Sequence, residues 1–210
     1  MAKRKDLTTT SLAMLGLLAL RPWTTYELAQ QMERSLRNFW PRARSKLYEE
    51  PKHLVAHGLA VARREQVGRR PRTVYAITPA GREALREWLR RPGAPPALEY
   101  EAILKVFLAD QGTKDDLLAQ IRHIRAWAEA EQLRGQAFLR EYATTGGPFP
   151  GRLGIIALMV SFLTRIDDGI HEWAAWAEEE VSRWPDVHAA PDKQLFQRLL
   201  EKSERHVAAD

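Results

Sequence analysis

The stretch Leu59–Thr78 constrains the fold of this chain more than any other. Leu59-Ala60-Val61-Ala62 leads into Arg63-Arg64-Glu65-Gln66-Val67, and Gly68-Arg69-Arg70-Pro71 makes a tight tip. Arg72-Thr73-Val74-Tyr75-Ala76-Ile77-Thr78 then returns, rich in β-branched and aromatic residues. That pattern predicts a two-stranded hairpin with an arginine-rich tip. Everything around it reads as helix.

Three helices are expected before the hairpin. Thr8-Thr9-Thr10-Ser11 offers N-caps for a helix through Leu20, whose Leu12, Leu15, Leu17 and Leu18 surround most of its circumference and predict burial. Arg21-Pro22-Trp23 breaks it, and Thr24 or Thr25 caps a second helix, with Glu27 at capping-box distance from Thr24. Leu28, Met32 and Leu36 share one face of that helix. The third helix is expected from about Ser45 to His57 with Gly58 beyond its end, Leu47, Leu54 and Val55 facing inward. After the hairpin, Thr78-Pro79 opens a fourth helix striped with Leu85, Trp88 and Leu89.

Arg91-Pro92-Gly93-Ala94-Pro95-Pro96 reads as a linker. The expected organisation is a domain over 1–92, a helical domain over 97–186, and a tail over 187–210 with a short helix near Lys193–His206. Glu99–Gln111 reads as one helix. A long helix follows from Lys114 to Tyr142, where Leu117, Ile121, Ile124 and Ala128 form a seam with coiled-coil spacing. Thr144–Gly151 is a loop. A last long helix from about Leu153 to Arg183 carries Ile156, Val160, Leu163, Ile170, Trp173, Ala174 and Ala177 on a wide apolar stripe, extended by Ile155, Met159, Phe162 and Ile166.

Charge divides the chain at the same linker. Met1–Pro92 holds 19 Lys and Arg against 8 Asp and Glu, a balance of +11; Gly93–Asp210 holds 13 against 19, a balance of −6; together they give the net +5. A basic first half beside an acidic second half points to nucleic-acid binding by the first. The chain has no cysteine, which excludes disulfides, thiolate metal sites and a cysteine nucleophile. Leu12–Leu20 is too short to span a bilayer and lacks a cleavage site, so the chain reads as cytoplasmic with no membrane partner. No phosphate-binding glycine loop, nucleophile elbow or His-Glu-x-x-His is present, so the chain does not read as an enzyme and needs no cofactor. His53 and His57 have a metal-capable spacing, yet no third ligand stands near in sequence, and they read as helix-end histidines rather than metal ligands. Asp167, on an otherwise apolar helix, needs a partner; Arg165, Arg122 and Arg125 are the candidates.

Three helices, a basic hairpin and a capped helix together describe a winged helix-turn-helix, in a chain that is otherwise α-helical. A helix entering the major groove needs donors and small polar residues near its N-terminus, and Arg42, Arg44, Ser45, Lys46 and Tyr48 stand there, with Lys52 one turn further. Arg69, Arg70 and Arg72 at the wing suit phosphates or the minor groove. Lys3, Arg4 and Lys5 supply a basic arm for the backbone. The competing reading is a winged-helix module that docks a protein and binds no specific DNA.

The motifs resemble the PadR family of bacterial regulators. Leu12-Ala-Met-Leu-Gly-Leu-Leu and Thr25-Tyr-Glu-Leu-Ala29 are similar to that family's start, and Ser45-Lys-Leu-Tyr48 with Leu54-Val-Ala-His-Gly58-Leu59 to its recognition helix. Gly68-Arg69-Arg70-Pro71-Arg72-Thr-Val-Tyr75-Ala-Ile-Thr78-Pro-Ala-Gly81 is similar to its wing and following helix. Trp173-Ala-Ala-Trp176-Ala and Trp184 fall where the last helix of its longer members does. The resemblance implies a homodimer on an inverted-repeat operator, usually repressing, with release by small molecules in some members. The chain departs from the pattern at Glu49-Glu50-Pro51: a proline inside the recognition helix predicts a kink or a late start, and glutamates facing phosphate would repel it.

Dimerisation is expected through the last long helix, at Ile156, Val160, Leu163, Ile170 and Trp173. Trp127, Trp173 and Trp176 read first as core or interface residues, and second as the lining of a site for a flat apolar or aromatic effector.

Overall fold

The structure is a computed structural model. It describes residues 7–41, 43–67, 70–188 and 193–207; within them the side chains of Arg44, Val67, Arg70, Lys202 and 205–207 fall outside the description. The basic arm Lys3-Arg4-Lys5 therefore lies outside the described residues. The chain forms two compact units, Met1–Pro96 and Ala97–Asp210.

The first unit begins with α1 (Thr9–Leu18), whose Thr8 cap accepts the Ser11 amide in a capping box, and whose Leu12, Met14, Leu15, Leu17 and Leu18 are all buried. β1 (Trp23–Thr24) and α2 (Thr25–Leu36) follow, the latter opened by the expected Thr24–Glu27 capping box. α3 (Arg44–Ala56), β2 (Ala60–Val67), β3 (Arg70–Ile77) and α4 (Pro79–Leu89) complete it. The sheet has three strands in the order β1-β3-β2, not the two expected: Trp23 and Thr24 pair antiparallel with Tyr75 and Val74. The Arg-Pro break conceals this strand in the sequence. Trp23 is buried, and its indole N–H donates to the Leu17 carbonyl at 2.8 Å, so the break after α1 also fixes an edge of the sheet.

α3 runs unbroken through Pro51 and starts at Arg44, so the proline does not delay it. Pro51 is the eighth residue of this thirteen-residue helix, and it is fully buried. The hydrogen bond lost at its nitrogen is offset by ring packing on the face where Leu47 and Leu54 are also buried. Val55, expected inside, is half-buried.

One close approach ties the hairpin root to α4. Gly58 has φ 69°, the left-handed conformation that ends α3 without strain at glycine. The Leu59 carbonyl accepts the Thr78 amide at 3.0 Å, and Thr78 Oγ1 donates to the Gly58 carbonyl at 2.8 Å. Gly81 then packs directly on that strand: a Cβ there would lie 2.1 Å from the Leu59 carbonyl oxygen.

The second unit is helical: α5 (Glu101–Phe107) with a 3-10 turn after it (Ala109–Gln111), α6 (Lys114–Thr145), α7 (Leu153–Ser182) and α8 (Lys193–Val207). The single helix expected over Glu99–Gln111 thus resolves into α5 and a separate turn. Thr113 caps α6 through a capping box with Asp116. Gly146 (φ 72°) and Gly147 (φ 60°) reverse the chain, the latter against the Tyr142 ring, which stacks on Phe138 with centroids 4.2 Å apart.

A ladder of polar contacts shows that α6 and α7 run antiparallel. Lys114 Nζ donates to the carbonyls of Ser182 and Trp184; Arg122 and Arg125 pair with Glu178; His171 meets Glu129 at 3.3 Å; Gln132 donates to Asp168 at 2.7 Å. The core lies at the α5 end of this hairpin, where Leu117, Leu118, Ile121, Ile124, Ala174, Ala177 and Val181 are buried. Toward the loop end Ala128, Glu131, Tyr142 and Val160 are buried, whereas Ile155, Leu158, Phe162, Ile166, Leu133 and Leu139 are exposed. Among the described residues no helix is long and apolar enough to cross a membrane.

The cation whose charge acts on Asp167 is not one of those expected. Arg122 and Arg125 are drawn to Glu178, and Arg165 bonds Ser161 on its own helix. Arg134, which also pairs with Glu131, is the cation acting on Asp167. Burial, helped by the neighbouring carboxylates of Glu131 and Asp168, outweighs Arg134 and pushes the Asp167 carboxyl above the ordinary aspartate range.

Gly81→Ala should destabilise the first unit by about 1–3 kcal/mol or more, read as a lowered denaturation midpoint, because the obstructing atom is backbone and cannot rotate away. Asp167→Asn should raise the stability of the second unit near neutral pH. The folded state holds the Asp167 proton more tightly than the unfolded chain does, so the burden is absent below the unfolded-state pKa and grows as pH rises through the folded-state value. Thermal melts of the variant and parent should therefore converge as pH falls toward about 4, and convergence at high pH instead would contradict the assignment.

Candidate nucleic-acid interface

α3 has two faces of different character. Leu47, Pro51 and Leu54 are buried, while Ser45, Lys46, Glu49 and Lys52 are exposed and Tyr48 is 37% exposed. The contrast follows from spacing: 47, 51 and 54 lie on one side of a helix, and 45, 48, 49 and 52 on the other. The structure thus brings Ser45, Tyr48 and Lys52 onto one open face, with Lys46 exposed on its flank. Arg42 lies outside the described residues. Arg44 begins the helix, its side chain undescribed.

The two glutamates that the sequence sets against phosphate are both engaged elsewhere. Glu49 pairs with Lys52 at 2.9 Å, three residues along the helix and well exposed to solvent. That hydrogen bond and charge raise the Lys52 pKa, so the lysine remains cationic but shares its charge with a carboxylate. Glu50, half-buried, turns to the start of α1, where Ser11 Oγ donates to it and Thr8 Oγ1 lies at 3.4 Å.

The β2–β3 ribbon is anchored only at its root. Leu59, Ala60, Val74 and Tyr75 are buried, whereas Val61–Gln66, Pro71 and Arg72 are exposed. Register places Val67 opposite Arg70 and Glu65 opposite Arg72. Arg72 and Glu65 form a cross-strand ion pair at 2.9 Å, so Arg72 is already partnered. Arg69 lies outside the described residues, and the side chain of Arg70 is undescribed. Arg63 and Arg64, passed over in the sequence as strand residues, add two exposed cations to β2. Their signal was the density of charge in a strand with no apolar alternation.

In the second unit the aromatic residues separate. Trp173 packs against the core with Ile170, and Val160 is buried. Ile156 and Leu163 are half-buried. Trp127 and Trp176 are 40% and 41% exposed, and the Trp127 ring sits 6.2 Å from that of Tyr100, tilted by 56°. The imidazole Nδ1 of His57 faces the His53 carbonyl at 2.7 Å.

Comparison with known proteins gives consistent results. Residues 14–87 match the model of the transcriptional regulator PadR-like family. The negative transcriptional regulator PadR of Bacillus subtilis is 29% identical over 97 residues, an alignment covering 45% of this chain and 53% of that protein. The chain thus spans about half the length of the curated relative it matches. The crystal structure of Bacillus subtilis PadR in complex with operator DNA superposes with a TM-score of 0.72 at 19% identity, covering 83% of this chain and 99% of that one. The same protein in complex with p-coumaric acid gives 0.67 at 18% identity, over 84% and 100% of the chains. At these identities the structures establish the fold: a winged helix-turn-helix with a helical C-terminal region. Residues 14–87, from within α1 to within α4, are thus similar to the PadR-like family of transcriptional regulators.

Proposed function

We propose that this protein is a sequence-specific DNA-binding repressor, acting in the cytoplasm as a homodimer on an inverted-repeat operator. The observation that carries the reading is the pairing of an open, polar α3 face with a ribbon exposed on both sides and rich in arginine. Residues 1–92 are the DNA-binding domain, 97–186 the dimerisation and effector domain, and 187–210 a tail. Arg42, Arg44, Ser45, Lys46 and Tyr48 read base edges and adjacent phosphates in the major groove. Lys52 contributes charge tempered by Glu49. Arg69, Arg70 and Arg72 take phosphate or the minor groove, Arg72 exchanging its Glu65 partner for DNA. The operator complex of the Bacillus subtilis structural relative supports this reading.

Dimerisation through α7 is supported by the loop end of the α6–α7 hairpin. Ile155, Leu158, Phe162 and Ile166 recur on one side of α7 and stand 41–71% exposed, an apolar stripe suited to a second copy. Of the residues expected at the interface, Val160 is buried and Ile156, Leu163, Ile170 and Trp173 are half-buried, and they back the proposed contact. A two-fold dimer sets two α3 helices about 34–36 Å apart, or a multiple of that spacing.

Release by a small aromatic or lipophilic effector is the further part of the proposal. Its support is the p-coumaric acid complex of the structural relative and the exposure of Trp127, next to Tyr100, and of Trp176. An effector favouring a different dimer geometry would weaken DNA binding by population shift.

Fluorescence anisotropy against a labelled fragment from the protein's own upstream region, at two salt concentrations with excess competitor DNA, tests the central claim. Tight binding that survives competitor at two monomers per site is expected. Arg69→Ala with Arg70→Ala should weaken binding to all duplexes alike and flatten the salt slope by about 0.9 for each phosphate no longer neutralised. No binding even at low salt would return the protein to the protein-docking reading. For the effector, small aromatic acids should quench tryptophan emission saturably; a flat titration across a broad panel counts against it.

A further inference from the structure

We infer that the first turn of α1 is a clamp that sets how α3 presents its base-reading residues, and that Glu50 and Trp40 are its two grips; this rests on the DNA-binding reading of α3. Trp40 lies just before the segment that carries Arg42 to Tyr48, and Glu50 just after it. Both reach the same turn of α1. Trp40 Nε1 donates to Thr10 Oγ1 at 3.2 Å, and Ser11 Oγ donates to Glu50, with Thr8 Oγ1 at 3.4 Å from the same carboxylate oxygen. Thr10 and Ser11 are themselves buried, so the grips fasten to a rigid, solvent-protected surface.

The chemistry of each grip is directional. Ser11 Oγ accepts the Thr8 amide at 3.1 Å as half of the α1 capping box, which leaves its proton free for the Glu50 carboxylate. A carboxylate beside the free amides of a helix N-terminus gains from the helix dipole as well. The bond therefore turns the Glu50 carboxylate inward and removes its charge from the DNA-facing side. At the other end, the indole N–H of Trp40 limits how the chain enters α3, whose N-cap Ala43 makes no side-chain cap bond. Pro51 completes the arrangement, since the residue after Glu50 is the buried proline.

Base edges are read at hydrogen-bond tolerance, whereas phosphate contacts tolerate small shifts and occur on any sequence. Loosening either grip should therefore lower discrimination between DNA sequences more than it lowers DNA affinity in general. Thr8, Thr10, Ser11, Trp40 and Glu50 act here as positioning residues, through the segment they bracket.

The test uses the full-length protein, a duplex that it enriches from a randomised pool, and a scrambled duplex of the same composition. Ser11→Ala, Glu50→Ala, their double variant and Thr10→Val are compared with the parent. Each single variant should lose about five- to tenfold in affinity for the enriched duplex, with affinity for the scrambled duplex unchanged. The double variant should be no worse than either single one, and Glu50→Gln, which keeps an acceptor, should retain most of the discrimination. Hydrogen exchange in the free protein should rise over 43–49 in Ser11→Ala, without a matching fall in thermal midpoint. A merely structural role would scale both affinities by the folded fraction and leave their ratio alone. Unchanged ratios in Ser11→Ala and Thr10→Val would overturn the clamp while leaving DNA binding standing. So would a Glu50→Ala effect equal on both duplexes, which would mark a charge effect. Failure of the parent to enrich any duplex would overturn the DNA-binding reading itself, and the clamp with it.

Discussion

The N-terminal unit depends on α3 burying one side completely while leaving the other wet. Leu47, Pro51 and Leu54 supply the buried side against α1 and α2, the two leucines each contributing about 1.5–3 kcal/mol of apolar transfer when fully withdrawn from water. That demand explains why a proline is tolerated mid-helix: its ring fills core space, and only one amide is forfeited. It also explains the helices around it. α1 is apolar on nearly all sides because α3, α4 and the sheet all lean on it, and Gly58 with Gly81 let the hairpin leave the helix at close quarters.

The second unit solves a different problem. Two helices of 32 and 30 residues cannot share a core along their whole length unless other elements cover them. At one end α5 does so, and the aliphatic core sits there. Along the middle, the Arg-Glu, His-Glu and Gln-Asp contacts fix the register of α6 against α7. Most of these groups are partly solvated, so their contribution lies in alignment rather than in stability. Asp167 is the exception: partial burial, with the carboxylates of Glu131 and Asp168 nearby, disfavours its charged form.

Much of this was legible in the sequence because local rules and tertiary demands agree. The Thr24–Glu27 and Thr113–Asp116 caps, the Leu117–Ala128 seam and the β2–β3 hairpin are each written in a few adjacent residues. What escaped was whatever depends on distant partners. β1 is two residues long and exists only because Tyr75 and Val74 pair with it. Pro51 obeys its local rule in chemistry but not in consequence, since burial decides the outcome. That the charge acting on Asp167 is Arg134 rather than one of the expected arginines follows from which turn of α6 lies near it. Trp40 and Glu50, on either side of the start of α3, carry no motif; their contacts with α1 cross 30 and 39 residues of chain.

The apolar stripe on α7 carries a consequence for how such a chain can vary. If two copies meet across a two-fold axis, Ile155, Leu158, Phe162 and Ile166 face themselves or one another, and every substitution is introduced twice into the same small area. An enlarged side chain must fit against its own enlarged image, and a new charge must meet its own sign. Drift on this surface is thereby narrowed to changes that complement themselves. Two regulators of this kind within one cell would keep from mixing once a single such position had diverged between them.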